Sequence, residues 1–266
     1  MNIVITGASS GVGRETAKIL AGIPGNRLMV IARNGMKIQA LSGECNIKRH
    51  ETVVQPLQFD LATGDMELLA HQINRQLGKI DVLINNAGGN SEGNTSKKPA
   101  EISVEDFMSN YRANALGAVQ LCQLCVPDMV AAKFGRIVNV SSAVAMQPNF
   151  MGADYSAAKA ALLNYTVSLA GSLRGVNVCA NVLTPGVILV DGLVRFGRMK
   201  FGNESLTADQ VNERLASEAV FEVPPAGRFG LPHELAMVAA MLASPANGFI
   251  TGANYRVDGG QTRGLN

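Results

Sequence analysis

The sequence predicts an α/β fold, a single Rossmann-type doubly wound domain. Its parallel sheet of about seven strands would be flanked by helices on both faces. Apolar β-type segments alternate with helical patterns along the whole chain. Strand candidates such as 80–85 are almost continuously apolar, which is typical of strands buried on both faces. No linker, repeat or low-complexity tract divides the 266 residues. We therefore expect one dinucleotide-binding and catalytic domain over 1–266, with right-handed crossovers.

The first half of the chain opens on the apolar run Ile3-Val4-Ile5, then a glycine-rich turn and a helical pattern. This strand–turn–helix unit is the start of the alternation, which continues to the end of the chain. The strand candidates are 2–6, 27–32, 53–59, 80–85, 136–141, 176–183 and 249–257. The helix candidates are 12–22, 35–43, 64–77, 101–133, 154–174 and 233–243.

The segment 187–227 departs from this alternation. It mixes Phe196, Met199 and Phe201 with charges and glycines, between the sixth strand and the last helix. Long loops of compact domains often close over a site. We therefore expect a substrate lid here.

Composition excludes several classes of protein. The net charge is +2 and no basic block is present, which argues against nucleic acid as a partner. No apolar run reaches the roughly 18 residues of a membrane span, and no secretory signal precedes the first strand, so we expect a cytoplasmic protein. The four cysteines give no disulfide framework, and Cys122 and Cys125 lie in an apolar helix pattern that favours packing over redox or metal chemistry. The three scattered histidines indicate no metal site.

The turn between the first strand and the first helix contains Gly7, Gly11 and Gly13. Glycines permit positive φ and close backbone approach, and the free N–H groups of the following helix can hold a pyrophosphate. The alternative is a glycine-rich loop that binds nothing, which the strand–turn–helix context disfavours.

About 20 positions beyond these glycines, dinucleotide folds place the residue that meets the adenosine ribose. Here that position is Arg33, and no carboxylate follows it before Glu44. A guanidinium can bind a 2′-phosphate, so the sequence favours NADP(H), with NAD(H) as the second choice. Arg33 could instead be a surface residue at the strand end. Arg14 could reinforce the site or only cap the helix.

A candidate catalytic group lies in the second half of the chain. Tyr155 and Lys159 are four apart and would share one helix face. A nearby ammonium and an oxidised nicotinamide would lower the pKa of the phenol. Ser142 ends the fifth strand, where active sites of open α/β sheets gather, and Asn114 lies in the fourth helix pattern. Each residue alone has an ordinary structural explanation, but the combination in this order favours a catalytic site.

Taken together, these motifs resemble the short-chain dehydrogenase/reductase family over essentially the whole length. The segments that carry the resemblance are Thr6–Gly13, Asp60, Asn85–Gly88, Asn114, Ser142, Tyr155 with Lys159, Pro185-Gly186, Thr251-Gly252 and Val257–Gly260. The resemblance implies that the tyrosine transfers a proton, the serine positions substrate, the lysine binds ribose and tunes the tyrosine, and the asparagine holds a relay water.

The resemblance also implies a set of cofactor contacts and a homotetramer or homodimer. The contacts would be Gly7, Ser9, Ser10, Gly11, Val12, Gly13, Arg33, Asp60, Leu61, Asn86, Ala87, Gly88, Tyr155, Lys159, Pro185, Gly186 and Ile188. One departure concerns Val190, because the family often has a threonine there for the nicotinamide carboxamide. Contacts to the nicotinamide would then rely on backbone groups.

The function that follows is an NADP(H)-dependent oxidoreductase for a small-molecule ketone or secondary alcohol. Candidate substrates are 3-oxoacyl thioesters, cyclic or steroid-like ketones and secondary-metabolite ketones. An apolar pocket is expected from residues between the serine and the tyrosine and from the lid, namely Met146, Phe150, Met151, Val194, Phe196, Met199 and Phe201. Two alternatives remain: a non-catalytic NADP(H)-binding sensor or assembly partner, and a nucleotide-sugar dehydratase or epimerase, for which 266 residues leave little room.

Overall fold

A computed structural model describes residues 1–89, 97–148, 152–218 and 221–264. Seven parallel strands form one sheet in the order β3-β2-β1-β4-β5-β6-β7. They are β1 Asn2–Thr6, β2 Arg27–Ala32, β3 Val54–Gln58, β4 Val82–Asn85, β5 Gly135–Val140, β6 Val178–Pro185 and β7 Asn254–Val257. The expected doubly wound α/β fold is confirmed.

Helices cover both faces of this sheet. In chain order they are α1 Gly11–Ala21, α2 Gly35–Arg49, α3 Met66–Gln76, α4 Val104–Tyr111, α5 Gly117–Ala132, α6 Ala153–Ser172, α7 Asp191–Lys200, α8 Ala208–Ser217 and α9 Pro232–Ala243. Successive side chains of β1 point to opposite faces, as strand geometry requires. Ile3 and Ile5 therefore pack with α1, α2 and α9, while Val4 packs with α3 and α5.

The strand order reverses at β1, which pairs with β2 on one side and β4 on the other. Chain connections leave a parallel sheet in opposite directions at such a point, so a crevice opens at the carboxyl ends of the strands. The glycine-rich turn follows β1, and Asn85 ends β4. The fold therefore places both motifs at the edge where ligands of this fold class bind.

The predicted helix 101–133 is wrong as a single α-helix. It consists of α4 and α5, joined by a π-helical turn over Arg112–Leu116. The amide of Gly117 donates to the carbonyl of Arg112, a bond between residues five apart. An extra residue in such a turn redirects the side chains around it, and such turns are frequent at functional sites. Asn114 lies at its centre.

Other bounds also differ from the prediction. Helix α2 continues to Arg49, because Ile38, Leu41 and Cys45 repeat at helical spacing and are buried against the sheet. Strand β7 begins at Asn254 and not at 249, because side-chain hydrogen bonds interrupt the backbone ladder with β6 over the residues before Asn254. The Asn181 amide donates to the carbonyl of Ile250 (2.7 Å).

The segment 187–227 contains helices α7 and α8, which the sequence analysis did not assign. They enclose a small apolar cluster with its own buried side chains, Leu189, Leu206, Val211, Leu215 and Phe229. Val194 and Phe201 pack against this cluster, whereas Phe196 and Met199 are 42% and 67% exposed. Of the four lid side chains expected to line an apolar pocket, two therefore pack within the segment and two remain exposed.

One helical stretch of the described chain, Val104–Ala132, has the length and apolar composition of a membrane span. It contains the π turn, and its buried residues face the sheet and α6. Leu121 and Met129 on this stretch are buried against the sheet, whereas Val104, Met108 and Leu124 are exposed. Cys122 and Cys125 are buried in it, as their expected packing role requires, and their thiol pKa values are raised to about 12 by burial.

The start of α9 provides a pH-dependent contact that supports the site edge. Both oxygens of Glu234 accept from Arg228 (2.6 and 2.9 Å), and one also accepts from the amide of Leu231. The hydrogen bonds from Arg228, together with that backbone bond, lower the pKa of Glu234 from 4.5 to about 2. Gly230, in the same segment, exchanges backbone hydrogen bonds with Val187 and Leu189 after β6.

We expect Glu234→Gln to lower the Tm by roughly 2–4 °C at pH 7, an effect limited by the partial exposure of both side chains. A depressed pKa contributes stability above the ordinary value of 4.5 that is lost as pH falls towards 2. The Tm difference between the two proteins should therefore disappear across that interval. Thermal unfolding from pH 2 to 7 checks this, with Glu51→Gln in the exposed Arg49 pair as control. A pH-independent difference would contradict it.

Candidate active site

The glycine-rich turn after β1 has the geometry of an anion cradle. Gly7 and Gly11 have φ of +67° and +55°, values that favour glycine. A Cβ on Gly7 would lie 2.7 Å from the Cα of Ala87, and one on Gly11 would lie 3.0 Å from Cγ1 of Val190. Ser10 precedes α1 without a capping side-chain bond, and the first turn of α1 holds no acid. These features fit a pyrophosphate at the helix N-terminus.

A hydrogen-bonded bridge fixes this turn to the end of β4. The hydroxyl of Thr6 accepts from the amides of Asn86 (3.1 Å) and Ala87 (3.0 Å). The side-chain amide of Asn86 donates to the carbonyls of Thr6 and Gly7, each at 3.1 Å. The predicted contacts from the two motifs, which are far apart in the sequence, thus lie side by side at the crevice.

The arginine predicted to meet a 2′-phosphate lies at the surface. Arg33 is exposed directly after β2, and its carbonyl accepts from Gln58 (3.1 Å). No salt bridge of the described residues involves it. Arg14 differs, because it is bound to Glu44 at 2.6 Å. Of the two arginines, Arg33 is therefore the one that no described salt bridge engages.

Asp60 and Leu61, two of the predicted cofactor contacts, follow β3. Asp60 accepts from the amide of Ala62 (2.9 Å), which fixes its carboxylate in the turn. Leu61 packs on the first residue of α5, since a Cβ on Gly117 would lie 3.0 Å from the Cβ of Leu61. Both residues therefore lie at the carboxyl edge of the sheet, close to the π turn.

Four candidate catalytic side chains come from three elements and meet behind this crevice. Ser142 follows β5, Tyr155 and Lys159 share α6, and Asn114 occupies the π turn. The Lys159 ammonium donates to the carbonyl of Val140 (2.8 Å) and lies 5.8 Å from the centroid of the Tyr155 ring. Asn114 and Lys159 are buried, whereas Ser142 and Tyr155 are partly exposed.

The side chains of Asn114 and Lys159 lie close to the backbone of Gly88, which follows β4. A Cβ placed on it would lie 2.5 Å from Oδ1 of Asn114 and 2.9 Å from Nζ of Lys159. Any side chain there would collide with both. The position therefore requires glycine, for close approach as well as for its φ of +150°.

Burial shifts the proton affinities of Tyr155 and Lys159 on α6. It lowers the pKa of Lys159 to about 8, because the ammonium loses its water. It raises the pKa of Tyr155, and a hydrogen bond with Ser142 opposes this. The lowered phenol pKa expected from the sequence refers to a site that also holds an oxidised nicotinamide, whose positive ring stabilises the phenolate. The Lys159 ammonium directs its donor bond at the carbonyl of Val140.

The backbone after β6 has most of its donors already in use. The amide of Val187 donates to the side chain of Gln261 (3.0 Å), that of Leu189 to Gly230, and that of Val190 to Ile188. Of the four backbone amides from Val187 to Val190, that of Ile188 is the one that donates to no acceptor among the described hydrogen bonds. A Cβ on Gly186 would lie 2.8 Å from the Cα of Asp258, so the turn after Pro185 packs on the C-terminal segment.

Sequence reasoning missed several residues that hold these groups. The hydroxyl of Ser141 donates to the carbonyl of Lys159 (2.9 Å), and Gln261 fixes Val187. Asn110 contacts Asn114, and Asp154 contacts Asn110. Only Asn110 carried a signal, because it lies one helical turn before Asn114. Of the expected pocket residues, Phe150 and Met151 lie outside the described residues, and Met146 accepts from Asn254 (2.9 Å).

The comparisons with known proteins agree with this geometry. A family model described as short chain dehydrogenase matches residues 1–199. The chain is 30% identical to a 3-oxoacyl-acyl-carrier-protein reductase of Thermotoga maritima, covering 97% of this chain and 96% of that protein. It is 29% identical to the 7alpha-hydroxysteroid dehydrogenase of Escherichia coli, covering 99% and 94%.

Solved structures give the same result at the level of the fold. The L-sorbose reductase of Gluconobacter frateurii, complexed with NADPH and L-sorbose, has a TM-score of 0.88 at 27% identity over 99% of this chain and 97% of that one. A 3-oxoacyl reductase of Brucella melitensis with bound NAD has a TM-score of 0.80 at 25% identity, covering 97% and 90%.

The cradle at Gly11 can be tested by dinucleotide binding. We expect Gly11→Ala to raise the Kd for NADPH at least about tenfold, because a methyl group would narrow the space between the turn and Val190. Gly25→Ala is the matched control, since Gly25 also has positive φ (+80°) but no atom within 4 Å of its Cβ position. Both variants should lose similar Tm, and fluorescence titration should show weaker binding only for Gly11→Ala. Equal affinities would exclude the turn as the cradle.

Proposed function

The chain belongs to the short-chain dehydrogenase family, and from that premise we propose that it reduces a ketone to a secondary alcohol, or catalyses the reverse, with NADP(H). As a member of the family it is an oxidoreductase acting on CH–OH or ketone groups. The observation that carries the proposal is the convergence of Asn114, Ser142, Tyr155 and Lys159 beside the glycine-rich cradle.

The proposed role of each of these four side chains follows from its exposure to solvent. Ser142 and Tyr155 are accessible, so a carbonyl oxygen would bind between their hydroxyls. Because burial raises the pKa of Tyr155, the phenol stays protonated at neutral pH and can donate its proton to that oxygen. Lys159 and Asn114 act from behind, where the ammonium stabilises the phenolate that remains and Asn114 holds a proton-relay water.

A bound nicotinamide cofactor would supply the hydride for the carbonyl carbon. The pyrophosphate would lie on the amides at Ser9–Gly13, and Asp60 and Leu61 would flank the adenine. Asn86 to Gly88 would line the channel, and Lys159 would hold the nicotinamide ribose. The amide of Ile188, the unused donor after Pro185-Gly186, would bind the carboxamide, a role that needs no hydroxyl at Val190.

NADP(H) is the proposed cofactor, with NAD(H) as a weaker alternative. The support is the exposed guanidinium of Arg33 at the end of β2 and the lack of a carboxylate between Arg33 and Glu44. The sorbose reductase, with bound NADPH, and the Brucella reductase, with bound NAD, show that similar structures bind either cofactor.

The substrate is proposed to be a hydrophobic ketone. Phe196 and Met199 present exposed apolar surface on α7, the helix that begins directly after Val190. Val190 itself lies against the glycine-rich cradle at Gly11. Such side chains favour a 3-oxoacyl thioester or a cyclic or steroid-like ketone over a sugar. Acyl thioesters, steroids and L-sorbose are all represented in the names of the similar proteins, so a substrate panel must include each.

The assembly is proposed to be a homotetramer or homodimer. Two exposed apolar groups support this, one on α4 to α6 (Val104, Met108, Leu124 and Val167) and one at α9 and beyond (Met237, Met241 and Phe249). A second copy of the chain would cover them. The cytoplasmic location and the lid stay predictions.

The reaction is tested by the loss of NADPH absorbance across a panel of ketones. We expect Tyr155→Phe to lower kcat by about 10²- to 10⁴-fold, because the proton donor is lost, while the Kd for NADPH is retained. Lys159→Met should lower kcat and also weaken NADPH binding. Tyr165→Phe, which removes a phenol from the same helix beside Cys122, should leave kcat unchanged. Wild-type binding of NADPH without turnover of any ketone would instead favour the non-catalytic sensor.

Cofactor choice is tested at Arg33. We expect Arg33→Asp to weaken NADPH binding by roughly 1–3 kcal/mol through the loss of a charge-assisted contact. It should also improve kcat/KM for NADH, because a carboxylate there can bind the ribose 2′-hydroxyl. Arg27→Asp, at the other end of β2, is the control. A wild type that prefers NADH, or an Arg33→Asp variant that keeps its preference for NADPH, would refute the assignment.

A further inference from the structure

Asn114 is held by a buried chain of polar side chains that begins at the residue before the tyrosine. Oδ2 of Asp154 accepts from Nδ2 of Asn110 (2.6 Å), and Oδ1 of Asn110 accepts from Nδ2 of Asn114 (2.6 Å). All three side chains are 1% exposed. The chain therefore links α6, which carries Tyr155, to the π turn that carries Asn114.

This arrangement leaves Asn114 one orientation. Its Nδ2 donates to both oxygens of Asn110, the backbone carbonyl (3.1 Å) and Oδ1 (2.6 Å), as well as to the carbonyl of Gly89 (3.1 Å). Its Oδ1 accepts from the amide of Gly89 (2.8 Å) and faces Gly88. A flipped amide would place an oxygen against two acceptor oxygens of Asn110, which is unfavourable in a buried site.

The direction of each donor follows from chemistry. A carboxylate only accepts hydrogen bonds, so Asp154 forces Asn110 to present Nδ2 to it and Oδ1 to Asn114. Asn114 must then present Nδ2 to Asn110 and Oδ1 to Gly89. The carboxylate oxygen of Asp154 thus sets the orientation of two successive amides.

We propose that Asp154 and Asn110 are positioning residues that act through Asn114, holding its amide and the Gly88-Gly89 backbone in the geometry that the proton relay to Lys159 and Tyr155 requires. This inference rests on the proposed ketone reduction. It also explains why a carboxylate is buried directly beside the tyrosine: Asp154 fixes the relay at one end of the site while its neighbour donates the proton at the other.

The test combines kinetics with a readout that is independent of turnover. We expect Asn110→Ala and Asp154→Ala to lower kcat on the order of 10-fold, because small misplacements at a catalytic site are costly. KM for the ketone and Kd for NADPH should change by less than about twofold, since both residues are buried at 1% exposure. Amide hydrogen exchange at Gly89, followed by mass spectrometry, should become faster in both variants.

A thermodynamic cycle separates action through Asn114 from a general loss of stability. On an Asn114→Ala background, Asn110→Ala and Asp154→Ala should lower kcat no further, because the residue through which they act is gone. Asn26→Ala is the matched control: Asn26 is also buried and donates to Leu20 (3.0 Å), but it lies before β2, away from the site. It should lower Tm without changing kcat.

Three outcomes decide the matter. Unchanged kcat and Gly89 exchange in the folded single variants would overturn the proposal, as would full additivity with Asn114→Ala. Each variant leaves the other partner in place, so failure of one to fold leaves the other to decide. If the wild type reduces no ketone but Gly89 exchange still rises in the variants, the proposed function fails and the positioning pair stands.

Discussion

The parallel hydrogen-bond ladder is the constraint on which the arrangement of the site depends. Because all seven strands run in one direction, the residues that follow each strand meet at a single edge. Pairing of β1 with β4 then places the glycine-rich turn beside Asn86, and pairing of β4 with β5 brings Ser142 to the same edge. Thr6 and Asn86 fix this juxtaposition with four hydrogen bonds. The cofactor cradle and the candidate proton donor are therefore consequences of strand direction and order.

A buried cation imposes the second constraint. The ammonium of Lys159 is removed from water, and a carbonyl at the end of β5 accepts its hydrogen bond. A cation in such a place needs polar neighbours, and the π turn supplies Asn114 close to it. The turn interrupts an otherwise continuous apolar helix, so local helix regularity is given up where the site needs a polar group directed inwards.

The region beyond β6 follows different rules. Helices α7 and α8 enclose their own apolar cluster and do not add to the core of the sheet. Backbone bonds between Val187–Leu189 and Gly230 join this region to the site edge, and Glu234 with Arg228 supports that junction. Similar proteins carry names that refer to different substrates, L-sorbose in one and a 7alpha-hydroxysteroid in another.

The sequence by itself determined the features that depend on local chemistry. Apolar runs predicted the bounds of β1 and β2. The glycines of the turn predicted a backbone with positive φ, which Gly7 and Gly11 have. Helical spacing predicted that Tyr155 and Lys159 share one face of α6. Only the tertiary structure decided what depends on distant segments. It introduced the π turn at Asn114 and the ion pair between Arg14 and Glu44. It also formed the hydrogen bond between Asp154 and Asn110, which lie on two different helices. It also buried Tyr155, which raises the pKa of the phenol. Spacing in a sequence fixes which residues share a helix face, but partners and desolvation are set by how the elements pack, which no local pattern encodes.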